Sequence, residues 1–250
     1  LCPLFGLPPE KLVVELVPTG GGFGAKEDLN VQPQAAMLAL KTGQPVKVAL
    51  SMEESTRFHP KRHAMLIDFT LGAKSDGTLV AVKSDILGDT GGYASVGDKV
   101  LERAAGHACG PYHVPNVQVE AKTIYTNNPV AGAMRGFGVN QIAFALEGCL
   151  DRLAEKLGMD PFDLRYLNAL DVGDTFSTGQ VMDASVGIRA TLLAIKPHYE
   201  AARAAGKHVG VACGMKNVGM GNGFEEEGRV ELHVRPGHIC IKTGFTEMGQ

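Results

Sequence analysis

Residues 65–87 read M-L-I-D-F-T-L-G-A-K-S-D-G-T-L-V-A-V-K-S-D-I-L, and this stretch decides the fold class. Two apolar, β-branched runs lie on either side of Asp76-Gly77, a dipeptide typical of tight turns. The stretch therefore predicts a β-hairpin formed by residues 65–73 and 78–87. Further along, residues 117–125 alternate between apolar and polar side chains and predict another strand.

Helix and strand signals continue on both sides of this hairpin. Capping residues, prolines in first turns and terminal glycines predict four helices. The first runs from Pro33 to Gly43, and the second from Asn140 as N-cap to Gly158. The third begins at Asp160 as N-cap with Pro161 in the first turn, and the fourth covers residues 186–205 with an interruption before Pro197. Short apolar runs predict further strands at residues 11–17, 45–51, 209–213, 229–234 and 239–243. Hairpins and helices that do not alternate strictly predict an α+β fold, with mixed sheets, hairpins and packed helices.

The composition excludes several classes of protein. The chain has 250 residues, of which 44% are hydrophobic, so it can bury a sizeable core. Its net charge of -3 gives no general attraction for nucleic acid or an anionic membrane. No apolar run approaches the roughly 18 residues that a membrane span needs. The five cysteines are widely and irregularly spaced, which indicates the reduced thiols of a cytoplasmic protein.

Glycine is unusually abundant, with 32 residues, and it is concentrated in loops. Two loops, residues 20–27 and residues 133–141, combine glycines with one aromatic ring and charged side chains. Backbone N–H groups in such loops can hold an oxyanionic ligand, and the ring can stack on a flat substrate. A dinucleotide-binding motif is disfavoured at residues 20–27, because no helix opens before Pro33. The alternative is that both loops are tight turns whose phenylalanines fill the core.

Four motifs resemble, in the same order, those of the molybdenum hydroxylases, the xanthine dehydrogenase and aldehyde oxidase family. Gly20-Gly21-Gly22-Phe23-Gly24-Ala25-Lys26-Glu27 resembles the family's G-G-F-G-x-K-E stretch. Arg135-Gly136-Phe137-Gly138 with Gln141 is similar to R-G-F-G-x-P-Q, with Asn140 in place of the proline. Residues 157–165 look like the family's connecting helix pair, and residues 246–250 resemble the opening of its T-E-x-G-Q-G loop.

The resemblance implies a chain that binds a molybdopterin-type molybdenum cofactor, and it leaves open whether the pterin carries a nucleotide. The metal would be held through the dithiolene of the pterin, so no side chain of this chain is expected to ligate it. The two glycine loops would line the molybdenum centre, and the last residues would begin a loop that contacts the pterin. The implied cofactor-binding residues are Gly22, Phe23, Gly24, Arg135, Met248, Gly249 and Gln250.

The resemblance also implies an oxidoreductase that hydroxylates an electron-poor carbon. Its base would be a glutamate in a G-x-G-E segment that this chain lacks, so no catalytic residue is expected here. Electrons would leave through 2Fe-2S clusters on partner domains or subunits, where FAD is a further candidate cofactor. We expect an internal fragment that is inactive alone, with a first molybdopterin-binding region at residues 1–175 and a truncated second one at residues 185–250.

The substrate is expected to be a purine-like N-heterocycle. Glu27, and Arg103 in the E-R-A stretch of residues 102–104, resemble positions that are charged in purine-hydroxylating members and commonly apolar in aldehyde-oxidising ones. A flat, oxo-substituted ring would accept from Arg103, donate to Glu27 and stack on Phe137. An apolar aldehyde would leave two buried charges unpaired.

Other interpretations stay open at this point. One is an aldehyde oxidoreductase of the same family, and another is a non-catalytic cofactor-binding or assembly module. A third is an ordinary α+β structural domain. In addition, Glu27 and Arg103 could form a structural ion pair instead of binding substrate.

Overall fold

The computed structural model describes residues 1–219, 225, 227–245, 247 and 248. Within these residues the fold is α+β, as predicted, with seven α-helices and five strands. In chain order the elements are α1 (Cys2–Phe5), α2 (Gln32–Thr42), α3 (Met52–Phe58), β1 (Ala64–Ala73), β2 (Leu79–Gly91), α4 (Gly97–Gly106), β3 (Asn116–Tyr125), α5 (Val139–Leu157), α6 (Pro161–Asn168), α7 (Ile188–Ala204), β4 (Val230–Arg235) and β5 (His238–Thr243).

The chain forms two compact units, each assembled from separate stretches. The first unit consists of Leu1–Lys61, Gly132–Arg135 and Gly219–Gln250, and the second consists of Arg62–Ala131 and Gly136–Val218. The predicted cofactor-binding regions, residues 1–175 and 185–250, stay a prediction.

The second unit is built on a three-stranded sheet in the order β1-β2-β3. Strands β1 and β2 are antiparallel and form the predicted hairpin, in which Gly77 takes a φ of +90° and Lys74 N–H donates to Thr78 O at 2.9 Å. Strand β3, also predicted, pairs parallel to β2. The connection between β2 and β3 carries α4 across the sheet, which places the end of α4 beside the core.

The core of the second unit lies where α4 and α5 pack on this sheet. The apolar stripe of α5 supplies Ile142, Leu146 and Leu150, which are all fully buried. Helix α5 ends at Gly158 as predicted, but its N-cap is Gly138 and not Asn140. The predicted cap is wrong because Ile142 N–H donates to Gly138 O, so the helical bonds begin two residues earlier.

A buried polar network ties α5 to α6. The guanidinium of Arg165 is fully buried, and its Nε donates to Glu147 Oε2 at 2.7 Å. Tyr112 Oη donates to the other oxygen of Glu147 at 2.7 Å, and Asp151 accepts from Arg165 Nη2 at 2.8 Å. Each charge therefore has a partner at hydrogen-bond distance, which a buried ion pair requires.

Helices α6 and α7 form a second apolar cluster. Asp160 caps α6 as predicted, and its side chain accepts from Phe162 N–H at 2.7 Å. The predicted interruption of the last helix is wrong, because α7 continues through Pro197. Tyr199, beyond the proline, packs on Phe162 with ring centroids 5.6 Å apart, and this contact favours continuation of the helix.

In the first unit, α2 lies where Pro33 and Gly43 predict it. Strands β4 and β5, both predicted, pair as an antiparallel hairpin. The predicted strands at residues 11–17 and 45–51 are wrong. Lys11 ends a 3-10 helix, Pro9–Lys11, and Ser51 instead caps α3 through a capping box with Glu54. A strand needs a neighbouring strand to complete its hydrogen bonds, and neither stretch pairs with one within the described residues.

The predicted strand at residues 209–213 is also wrong, since these residues are irregular and Val211 instead packs in the cluster of α6 and α7. The five cysteines are free thiols, as predicted. Among the described residues, no helix is long and apolar enough to cross a membrane.

Candidate functional site

The first glycine loop, residues 20–27, lies in the first unit and has an unusual backbone. Phe23 takes a φ of +55° and Gly24 a φ of +94°. Two overlapping turns form the loop, since Ala25 N–H donates to Gly22 O at 3.0 Å and Glu27 N–H donates to Gly24 O at 3.1 Å. The left-handed backbone at Phe23 is uncommon for a residue with a side chain. Such a conformation is a feature of ligand-binding loops.

This loop meets Gly132–Arg135, a stretch that is distant in sequence. Arg135 N–H donates to Phe23 O at 2.9 Å. A Cβ atom on Gly24 would lie 2.8 Å from the carbonyl carbon and oxygen of Ala133. Only glycine fits this approach without a shift of the backbone. The structure thus joins two of the predicted motifs in one unit.

The joined loops present unused backbone donors. Within the described residues, the N–H groups of Gly22, Phe23 and Gly24 donate to no protein acceptor. A Cβ atom on Gly22 would lie 2.9 Å from Sδ of Met248, so Met248 borders the same loop. Successive N–H groups in such a turn suit an oxygen-rich or anionic ligand. A pterin cofactor with its oxo and phosphate groups fits this donor set.

Glu27 is the last residue of this loop and is exposed in this chain. Partial burial of its carboxyl raises the pKa of Glu27 above the usual value, and the neighbouring charge of Asp28 raises it further. Phe23 is 65% exposed and covers Gly21. Its ring does not fill a core, contrary to the alternative in which the phenylalanines of the glycine loops are structural.

In the second unit, Arg103 lies on α4 and is 5% exposed. Its Nη1 donates to Oδ1 of Asn217, a residue that sequence reasoning did not identify. Backbone N–H of Asn217 also donates to Nε2 of His107 at 3.1 Å. No local signal marks Asn217, since it follows an irregular stretch and its partner lies 114 positions away.

The second glycine loop, Gly136-Phe137-Gly138, precedes α5 in the same unit. Phe137 is half-buried, with a φ of +50°. A Cβ atom on Gly138 would overlap the carbonyl oxygen of Val100, so this loop lies directly against α4. The side chain of Gln141 donates to His63 O at 3.1 Å and anchors the start of α5.

The predicted site residues are therefore divided between the two units. Gly22, Phe23, Gly24, Glu27, Arg135 and Met248 belong to the first unit, and Arg103 and Phe137 belong to the second. That Glu27 and Arg103 face one pocket stays a prediction. Gly249 and Gln250 lie outside the described residues. In the part of the chain that the structure describes, no group of three His, Cys, Asp or Glu side chains could hold a metal ion.

These loops and this fold define a molybdopterin-binding protein. Residues 1–169 match the family model of the molybdopterin cofactor-binding domain, and the chain belongs to that family. The resemblance to the molybdenum hydroxylases is confirmed.

Relatives and solved structures agree with this assignment. The nicotinate dehydrogenase large molybdopterin subunit of Eubacterium barkeri is 51% identical over 76% of this chain and 44% of its own length. A probable xanthine dehydrogenase subunit of Bacillus subtilis is 41% identical over the whole of this chain and 34% of its own length. The structure of aldehyde oxidoreductase from Desulfovibrio gigas matches with a TM-score of 0.77 and 38% identity, over 80% of this chain and 22% of that one. The chain thus spans less than half the length of each.

Proposed function

We propose that the chain is the molybdopterin-binding part of an oxidoreductase that hydroxylates a purine-like N-heterocycle. The observation that carries the proposal is the joining of the two motif loops, in which Arg135 N–H donates to Phe23 O and three neighbouring N–H groups remain available. When bound, the cofactor supplies oxidation and oxygen insertion at an electron-poor carbon.

The residues of the first unit hold the cofactor. The N–H groups of Gly22, Phe23 and Gly24 would donate to its oxygen atoms, and Arg135, whose backbone N–H donates to Phe23 O, would line the same site. Met248, which borders Gly22, would contact the pterin. Gly249 and Gln250, which follow in the sequence motif, would contact it as well. The molybdenum is held through the pterin and not by a protein side chain. Close approach of backbone to ligand explains why glycines form this loop.

Three residues select the substrate. Arg103 donates hydrogen bonds to ring oxo groups, and Glu27 accepts from ring N–H groups. Phe137 supplies a ring face for stacking. The catalytic base would lie outside residues 1–250.

Partner domains or subunits would supply 2Fe-2S clusters, with FAD as a further candidate, to accept the electrons. The enzyme would work in the cytoplasm. An aldehyde substrate is the second candidate. The likeness to aldehyde oxidoreductase from Desulfovibrio gigas, at 38% identity, favours it. Against it stands the carboxylate of Glu27, because a simple aldehyde has no N–H group to donate to it.

The deciding experiment uses the complete enzyme with Glu27→Val and Arg103→Met introduced together. We expect kcat/KM for a hydroxypurine to fall by roughly 10⁴-fold, as in sites that hydrogen-bond their substrate. Turnover of an aromatic aldehyde should be unchanged or improved. Molybdenum and pterin content are measured in parallel. Equal loss of both activities with the cofactor retained would leave a molybdenum hydroxylase without a purine preference, and absence of cofactor from the wild type would refute the proposal.

A further inference from the structure

A closed ring of hydrogen bonds links Arg103, Asn217 and His107. Nη1 of Arg103 donates to Oδ1 of Asn217, and N–H of Asn217 donates to Nε2 of His107. Nδ1 of His107 lies 2.9 Å from the carbonyl oxygen of Arg103, which returns the ring to its starting residue. All three residues belong to the second unit.

The ring determines the tautomer of His107. Because Nε2 accepts from a backbone N–H, the proton of the neutral imidazole resides on Nδ1, where it donates to the carbonyl of Arg103. His107 is 4% exposed, and Phe176 packs edge-on against its imidazole at 5.7 Å. Burial lowers the pKa of His107, so this neutral form persists. The imidazole therefore fixes the backbone of Asn217 with respect to α4.

The fixed position of Asn217 restricts the guanidinium of Arg103. A long arginine side chain has many rotamers, and a substrate contact requires one of them. With its backbone fixed by His107, Asn217 holds Oδ1 at a defined place for Nη1 of Arg103. Asn217 itself is exposed, so this bond is not needed to fill the core.

We propose that Asn217 is a positioning residue: through Oδ1 it orients Arg103 toward the substrate, and the backbone bond to His107 holds it in place. The inference rests on the proposed function, in which Arg103 contacts an oxo group of the substrate. Asn217 touches the guanidinium and acts on selectivity only through it.

The test is a double-mutant cycle in the complete enzyme with Asn217→Ala and Arg103→Met. For a hydroxypurine, Asn217→Ala should raise KM and lower kcat/KM by roughly 10- to 100-fold, the effect of one hydrogen bond to a charged group. For an aromatic aldehyde, kcat/KM should stay within about twofold. The double variant should be no worse than Arg103→Met, because Asn217 acts through Arg103.

Two further variants separate positioning from a general structural role. Asn217→Asp keeps an oxygen acceptor and should retain most of the selectivity for the hydroxypurine. Val218→Ala, at a 97% exposed neighbour, is the matched control and should leave both substrates unaffected. Molybdenum content and thermal unfolding are measured for every variant, and we expect no change for Asn217→Ala.

The outcomes distinguish the inference from the proposed function. If Arg103→Met discriminates between the substrates but Asn217→Ala does not, the inference alone fails. Equal loss of both activities in Asn217→Ala, or additive losses in the double variant, also overturns it. If Arg103→Met affects neither substrate, the proposed substrate contact fails and the inference fails with it.

Discussion

The substitution Gly24→Ala tests whether the first glycine loop must approach Gly132–Arg135 as closely as the structure shows. The added methyl would lie 2.8 Å from the carbonyl group of Ala133, and the φ of +94° disfavours any residue with a Cβ atom. The backbone conformation costs about 1–3 kcal/mol, and overpacking costs about 1–3 kcal/mol more. The loop and its bond from Arg135 N–H to Phe23 O must therefore shift, at a cost of roughly 2–6 kcal/mol.

A shift of this size should appear first as loss of cofactor. If the free energy of cofactor binding is weakened by even about 2 kcal/mol, the affinity drops by roughly 30-fold. We therefore expect the purified complete enzyme to carry much less molybdenum per chain than the wild type, measured by inductively coupled plasma mass spectrometry. The overall unfolding transition should change less, because the loop lies outside the apolar cores of the second unit.

Gly43→Ala is the matched control for the backbone effect. Gly43 also has a positive φ, +63°, at the end of α2 in the same unit, but a Cβ atom there would meet nothing within 4 Å. This variant should lose about 1–2 kcal/mol of stability at most and keep its molybdenum. If Gly24→Ala retains wild-type molybdenum content, or if Gly43→Ala loses as much, the close approach of the two loops is not what forms the site.

Three further predictions concern the second unit and the thiols. Glu147→Ala should lower the free energy of unfolding by about 3–5 kcal/mol in chemical denaturation, because it leaves the buried guanidinium of Arg165 without its main partner; a loss below about 1 kcal/mol would contradict this. Burial raises the pKa of Cys109 to about 12, so iodoacetamide at about pH 8 should label exposed Cys240 in the native protein while Cys109 stays unlabelled by mass spectrometry. Burial lowers the pKa of His107 from 6.5, so the unfolded chain binds more protons and the free energy of unfolding should fall as the pH drops below 6.5. In a His107→Asn variant, the free energy of unfolding should depend less on pH. If its pH dependence is unchanged, His107 is not the group responsible.

Local signals in the sequence determined much of the fold. The hairpin of β1 and β2, helix α2 and the end of α5 at Gly158 all follow from turn dipeptides, capping residues and periodicity. These features depend on hydrogen bonds and side-chain contacts between residues that are close in the chain. The motifs of the two glycine loops also indicated the family, because close backbone approach restricts the residue type.

The wrong predictions share a physical cause, which is that each element depends on contacts with residues distant in the sequence. Residues 11–17 and 45–51 have the composition of strands, but strand formation requires a partner that supplies the remaining hydrogen bonds. Likewise, Pro197 lies inside α7 because packing of Tyr199 on Phe162 outweighs the local preference for a break. The local sequence contains no information on whether a neighbouring strand is present or on the contact between Tyr199 and Phe162.

Only the tertiary structure decided which residues meet in the candidate site. The bond between Arg135 and Phe23 joins two motifs that the sequence separates, and Asn217 reaches Arg103 across 114 positions. Neither pairing leaves a local pattern, since a single hydrogen bond restricts the residue type only weakly at each end. The sequence thus determined which loops form the candidate site, whereas long-range packing decided which residues meet there.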